Sequence, residues 1–168
     1  MLSYHPALDP YHAAFRAMQL LVAREQRAYH LSQFRILDFY LLFPSLVEKI
    51  HFPRESQSYK RAFSDRSNRY WVSGEPKIIF MKIGSIQQQG LNLLVGKELL
   101  DVDAFKMDRI QLSARAADSP IMSAAVTANQ RDLPLLEFLV DVLGTITPFG
   151  PNGLKDRSRL MEFRYDAS

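Results

Sequence analysis

The sequence predicts an α+β fold, mainly helical: a winged-helix-like core with flanking helices and a short β-hairpin. Three observations carry this. Apolar residues recur at helical spacing in several separate stretches. Near Leu100 the period changes, and Val102, Phe105, Met107, Ile110 and Leu112 follow, set apart by charged residues as in a strand pair. The composition, 47% hydrophobic and 23% charged, is that of a globular chain with enough apolar surface for a sizeable core. A length of 168 residues suits one domain, residues 1–168, with the winged-helix-like part over about 31–113 and a C-terminal helix and tail over about 132–168.

The elements follow in order. Met1 to Pro10 reads as an extended lead-in. Asp9 can cap a helix and Pro10 is tolerated at its first position, so a helix over 10–26 is expected, with Phe15, Met18, Leu21 and Val22 on its apolar side. A second helix begins near Leu31, with Ser32 as the candidate cap. From Phe34 to Phe43 it is apolar nearly all round, the mark of a helix buried in a core or between subunits. Pro44 ends or kinks it, and a shorter helix continues to Ile50. Ser73-Gly74-Glu75-Pro76 is a turn. Ile83, Ile86, Gly90, Leu91, Leu94 and Val95 then share one helical face, with Gln87, Gln88, Gln89 and Asn92 elsewhere. Helix, helix and hairpin is the order of a winged helix. Residues 114–131 read as loop with some helix. Leu133 to Leu143 is a further helix with Gly144 as its stop. Thr147 to Gly153 is a turn-rich linker, and the alternating tail from Arg159 to Asp166 reads as a final strand.

Several functional classes find little support. There is no cysteine, hence no disulfide, thiolate metal site or cysteine nucleophile, which fits a cytoplasmic location. No run of about 18 apolar residues is present, so no membrane contact is expected, and no signal peptide is visible. His5, His12, His30 and His51 show no metal-ligand spacing. Phosphate-loop and dinucleotide motifs are missing. Gly150, Gly153, Lys155 and Arg157 could hold an anion, but turn chemistry accounts for both glycines. Asp101, Asp103 and Asp108 with Lys106 resemble the acids of a metal-dependent nuclease, although a solvated wing explains them better. No catalytic residue, cofactor or metal site is therefore assigned.

The segment from 49 to 71 is different. Lys49, Arg54, Lys60, Arg61, Arg66 and Arg69 stand against Glu55 and Asp65, with Tyr59, Phe63, Tyr70 and Trp71 interleaved. Cations neutralise phosphates and aromatic rings stack on bases or fill protein interfaces. Lys49, Arg54, Lys60, Arg61, Arg66, Arg69 and Trp71 are thus candidate contacts to DNA or to an acidic partner, with a solvated basic face or a protein partner favoured over DNA. A net charge of +3 permits DNA contact without requiring it. In the tail, Arg157, Arg159, Phe163, Arg164 and Tyr165 are candidate partner contacts, together with apolar surface from Leu37, Tyr40 and Leu41.

Three stretches, Tyr4 to Arg16, Arg35 to Pro44 and Asn152 to Asp166, taken together resemble the middle components of bacterial ABC-three-component systems, among them the small subunit of Lamassu-type antiphage defence. The resemblance implies a non-enzymatic subunit. Its partners would be an SMC/Rad50-like ATPase and an effector nuclease subunit, with double-stranded DNA a further candidate reached through the complex. It offers no active-site residues. The competing reading is a stand-alone winged-helix DNA-binding regulator, in which the helix from Ile83 to Glu98 would enter the major groove. The scarcity of arginine there weighs against it.

Overall fold

The structure, a computed structural model, describes residues 5–66, 74–164 and 166. It is mainly helical with one short antiparallel strand pair, as the sequence predicts. Helix α1 spans Pro10–Ala23, and the Asp9 carboxylate accepts from the Tyr11 amide at 2.8 Å. Its inward side alternates small and large residues, with Ala13, Ala14 and Ala17 beside Met18, Leu20 and Leu21. The small ones let α3 (Pro76–Gly96) approach closely. A Cβ on Gly90 of α3 would lie 2.8 Å from both the Ala13 Cβ and the Ala14 amide nitrogen, so only glycine fits there.

Helix α2 spans Leu31–Leu42 and is central. Its cap is His30, not Ser32: the His30 Nδ1 accepts from the Ser32 amide at 3.1 Å. Phe34, Ile36, Leu37, Phe39 and Tyr40 are all buried, so the apolar letters all round the helix reflect burial within this chain. Leu37 and Tyr40, at 0% and 1% exposure, are core residues and offer no contact surface. Pro44 stops α2 and the chain passes into a 3-10 turn, Pro44–Lys49. A second 3-10 segment covers Arg54–Arg61.

The wing expected at 102–112 takes another form. Leu100 and Leu112 do bridge in antiparallel fashion. Between them Val102–Lys106 is a short helix, α4, because the Asp101 carboxylate accepts from the Ala104 amide at 2.8 Å and caps it. Strand β2 (Arg109–Ile110) pairs with β1 (Tyr29–His30), in the register Tyr29 to Ile110 and His30 to Arg109. The sheet thus joins the entrance of α2 to the exit of α4, and residues 102–106 are helix where a hairpin strand was expected.

Helix α5 covers Pro120–Asn129 and packs on α1. Helix α6, Leu133–Glu137, runs on through a π turn, Phe138–Val142, and a 3-10 turn, Leu143–Thr145. The helical path therefore passes the stop expected at Gly144 by one residue. The final helix, α7 (Leu154–Ser158), packs on α2. Among the described residues the tail beyond it forms no strand. Arg159 turns left-handed (φ 56°), Leu160 enters the core at 2% exposure, and residues 161–164 are irregular. Buried residues from Ala14 to Leu160 form one contiguous cluster.

Candidate interaction site

The basic segment is built on an aromatic anchor. Phe52, Tyr59 and Phe63 surround Phe138, with ring centroids 6.0, 5.0 and 5.2 Å from it. Aromatic pairs at these separations add to the area they bury. Gln57 ties the segment further, its amide donating to the Phe52 carbonyl at 2.8 Å. Between the anchors, Arg54–Arg61 contains no buried residue. Arg54, Lys60 and Arg61 point to solvent and make no ion pair among the described residues. The result is a cationic shelf on a fixed base.

The other candidates divide. Lys49 is exposed, 3.6 Å from Glu48. Arg66 is held by both carboxylate oxygens of Asp132, at 3.0 and 2.9 Å, which leaves its charge matched. Arg69, Trp71 and Tyr165 lie outside the described residues. In the tail, Arg157 is a brace: it donates to the carbonyls of Asn152 (2.6 Å) and His51 (2.9 Å). Arg159 and Arg164 are exposed, and Phe163 is half-buried. These two arginines line a polar groove with Lys77, Lys155 and Glu162. Lys155 does not await an anion there. Its ammonium group is buried, pairs with the Asp166 carboxylate at 2.6 Å and lies 4.9 Å from the Phe149 ring centroid.

Of the acids of residues 101–108, Asp101 has a structural task for its carboxylate, while Asp108 contributes its backbone. Asp101 caps α4, and the Asp108 carbonyl accepts from the Leu31 amide at 2.7 Å. Asp103 projects into water, 3.9 Å from Lys106. Among the described residues no group of three or more His, Cys, Asp or Glu side chains could hold a metal ion.

One polar constellation escaped the sequence reading. Asp38 on α2 receives Arg16 Nε at 2.7 Å and Nη2 at 3.2 Å from α1, and Gln87 Nε2 at 2.8 Å from α3. Gln87 also donates to the Arg35 carbonyl and accepts from Arg35 Nε, both at 3.0 Å. Burial pulls the Arg35 guanidinium below its ordinary value, with Asp38 opposing. The Arg35 guanidinium also lies over the Phe80 ring, 4.8 Å from its centroid. Gln87 was expected away from the buried face, yet the spacing 83, 87, 90, 94 would have placed it there. This knot pins three helices at one point, with Arg16, Asp38 and Gln87 buried and Arg35 half-buried.

Over residues 2–166 the sequence matches the family described as ABC-three component (ABC-3C) system Middle Component 5. The chain belongs to this family. No curated protein and no solved structure matches it. An ABC-3C middle component is an accessory subunit, and its partners are other components of such a system. No helix of this middle component, among the described residues, is long and apolar enough to cross a membrane.

Proposed function

We propose that this middle component is a non-catalytic bridging subunit of a Lamassu-type antiphage defence complex in the cytoplasm. It couples an SMC/Rad50-like, DNA-sensing ATPase to a nuclease-type effector. The carrying observation is the cationic shelf: Arg54, Lys60 and Arg61, with Lys49 nearby in sequence, are held out in water by a rigid aromatic base. Unmatched charges on a fixed platform favour encounter with an acidic surface and set its register. Arg159 at the tail groove offers a further basic contact, beside Arg164, which lies 3.9 Å from Glu162. Any direct DNA binding by the shelf would be weak, salt-sensitive and blind to sequence, since lysine and arginine would meet phosphates alone.

The regulator reading loses its reader. In α3, Gln87 is engaged in the core and Gln88 donates to Asn92 at 3.1 Å, so the glutamine run does not present a row of free amides to a groove. Mixing the purified chain with the ATPase and effector components of its own system tests the proposal. The wild type is expected to join both in one complex by size exclusion. Replacing Lys49, Arg54, Lys60 and Arg61 by Glu should weaken one of the two associations at least tenfold. A wild-type chain that joins neither component at micromolar concentration, with or without DNA and ATP, overturns it.

A further inference from the structure

Helix α3 shows solvent a straight stripe along its whole length. Helical periodicity sets Ile78, Met81, Ser85, Gln89 and Asn92 in line, with Lys82 at the edge, opposite the buried face that runs from Ile79 to Leu94. Twenty-one residues make this stripe about 31 Å long. Its ends are apolar. At the first, Ile78 and Met81 are 49% and 67% exposed. At the second, the stripe opens into a groove lined by Pro10, Tyr11, Leu93 and Lys97, with Tyr11 71% exposed. Leu8, 56% exposed, sits on the neighbouring 3-10 turn Pro6–Leu8, which packs on α3. Between the ends lie Ser85, Gln89 and Asn92, uncharged and short to medium in reach.

The charge on α3 itself has one sign: Lys77 and Lys82 stand on the helix, Lys97 follows its end, and the helix contains no Asp or Glu. Glu75 precedes it and Glu98, ion-paired with Arg115, follows it. Off the helix, Asp9 bonds the Tyr11 amide, and Asp156 and Glu162 share the tail groove with Lys77. Exposed apolar side chains at both ends of a polar line edged by cations suit a helix anchored at its two ends, with opposite charges along its edge.

We propose that this stripe is the docking seam for an amphipathic helix of a partner component, one with apolar residues facing Ile78, Met81 and Tyr11 and carboxylates beside Lys77, Lys82 and Lys97. The identity of the partner as another component of the system rests on the subunit reading above. A nucleic acid fits this surface poorly. Duplex DNA carries a charge about every 1.7 Å, against which three lysines over about 31 Å are sparse, and phosphates gain nothing from Ile78, Met81 or Tyr11. The helix also accounts for both halves of the pattern, since the apolar ends anchor it and the lysines fix its direction.

The experiment uses the full chain with the purified ATPase and effector components of its own system. Two variants are compared with wild type: Met81→Asp combined with Lys82→Glu, and Tyr11→Asp. All these positions are exposed, and circular dichroism with a thermal melt confirms that each variant is folded. A photo-crosslinking residue at Ser85 reports what lies over the seam. The expected result is a loss of at least tenfold in affinity for one component in both variants, with crosslinks falling in an acidic helical segment of that component. Folded variants that bind both components as wild type does overturn the seam and leave the subunit reading standing. Crosslinks to a non-helical segment overturn it as well. Loss of duplex-DNA binding in the variants, with component binding unchanged, overturns it in favour of a nucleic-acid surface. A wild-type chain that binds neither component removes both proposals.

Discussion

At Asp38 the cationic side chain of Arg16 is inside the molecule and paired with a carboxylate; at Arg54, Lys60 and Arg61 the same chemistry is held out in water, and none of the three makes an ion pair among the described residues. Both regions join parts of the chain far apart in sequence, and both rest on precise neighbours. The knot joins α1, α2 and α3 by hydrogen bonds, whereas the shelf is fixed from beneath by Phe52, Tyr59, Phe63 and Phe138 while its charges stay uncommitted. Position in the fold thus decides whether an arginine holds the structure together or addresses another molecule.

Asp38→Ala should break this contrast most severely. It strands the Arg16 guanidinium without a counter-charge and takes one acceptor from Gln87, and breaking a buried pair in this way costs about 3–5 kcal/mol. Urea unfolding measures it. A loss below about 1 kcal/mol would mean that water or a neighbour takes over the carboxylate's role.

His30 stands between the two regimes, half-buried, with its Nδ1 engaged by Ser32 and its ring edge-on to Phe149 at 4.6 Å. Desolvation lowers its pKa below the ordinary 6.5, Lys155 and Arg109 add to this, and Asp108 and Asp166 oppose. The unfolded chain therefore takes up the proton first. The stability this residue contributes is whole above about 6.5 and is lost as pH falls through that value toward the depressed folded one. Thermal melts between pH 8 and pH 5 should show a steeper decline for wild type than for His30→Asn, whose amide oxygen keeps the cap without titrating. Parallel declines would remove His30 from the account.

The smallest effect belongs to the shelf. Arg54→Ala, Lys60→Ala and Arg61→Ala should each change unfolding free energy by no more than about 0.5 kcal/mol, as exposed positions without structural partners do. A combined variant with a clearly lowered melting midpoint would show that these cations support the fold, and the contrast with Asp38 would blur.

Much of the helical frame was legible because local chemistry decides it. Asp9-Pro10 starts α1, Pro44 ends α2, and the unbroken apolar run of α2 signals burial. The wing was misread because Val102 and Phe105 satisfy an alternating charge pattern and a helical i, i+3 pair equally well, and the Asp101 cap tips the balance. Strand β1 is only two residues long and its partner is distant, so no local signal marks it. The tail alternates like a strand, yet its core contacts come from the neighbours Leu160, buried, and Met161, partly buried, which do not alternate. Of the candidate site, the basic letters were plain. Which of them are already matched was not, since Arg66 meets Asp132 and Arg157 meets His51 through contacts 66 and 106 positions apart. Gln87 was missed because apolar periodicity skips a polar letter on a buried face.

The pairing of Tyr29 with Ile110 has a consequence for how the protein is born. Gln33 likewise donates to the Gly144 carbonyl at 3.0 Å, and Asn129 to the Gln19 carbonyl at 2.8 Å. During translation at roughly 5–20 residues per second, α1 and α2 leave the ribosome several seconds before these partners exist. In that interval Ile36, Leu37, Phe39 and Tyr40 have only part of their final packing, and the nascent chain is exposed to chaperones and proteases. Even at Asn152 it still lacks α7, which packs on α2. A ribosome stalled anywhere before the last helix would therefore release a chain that cannot close its core.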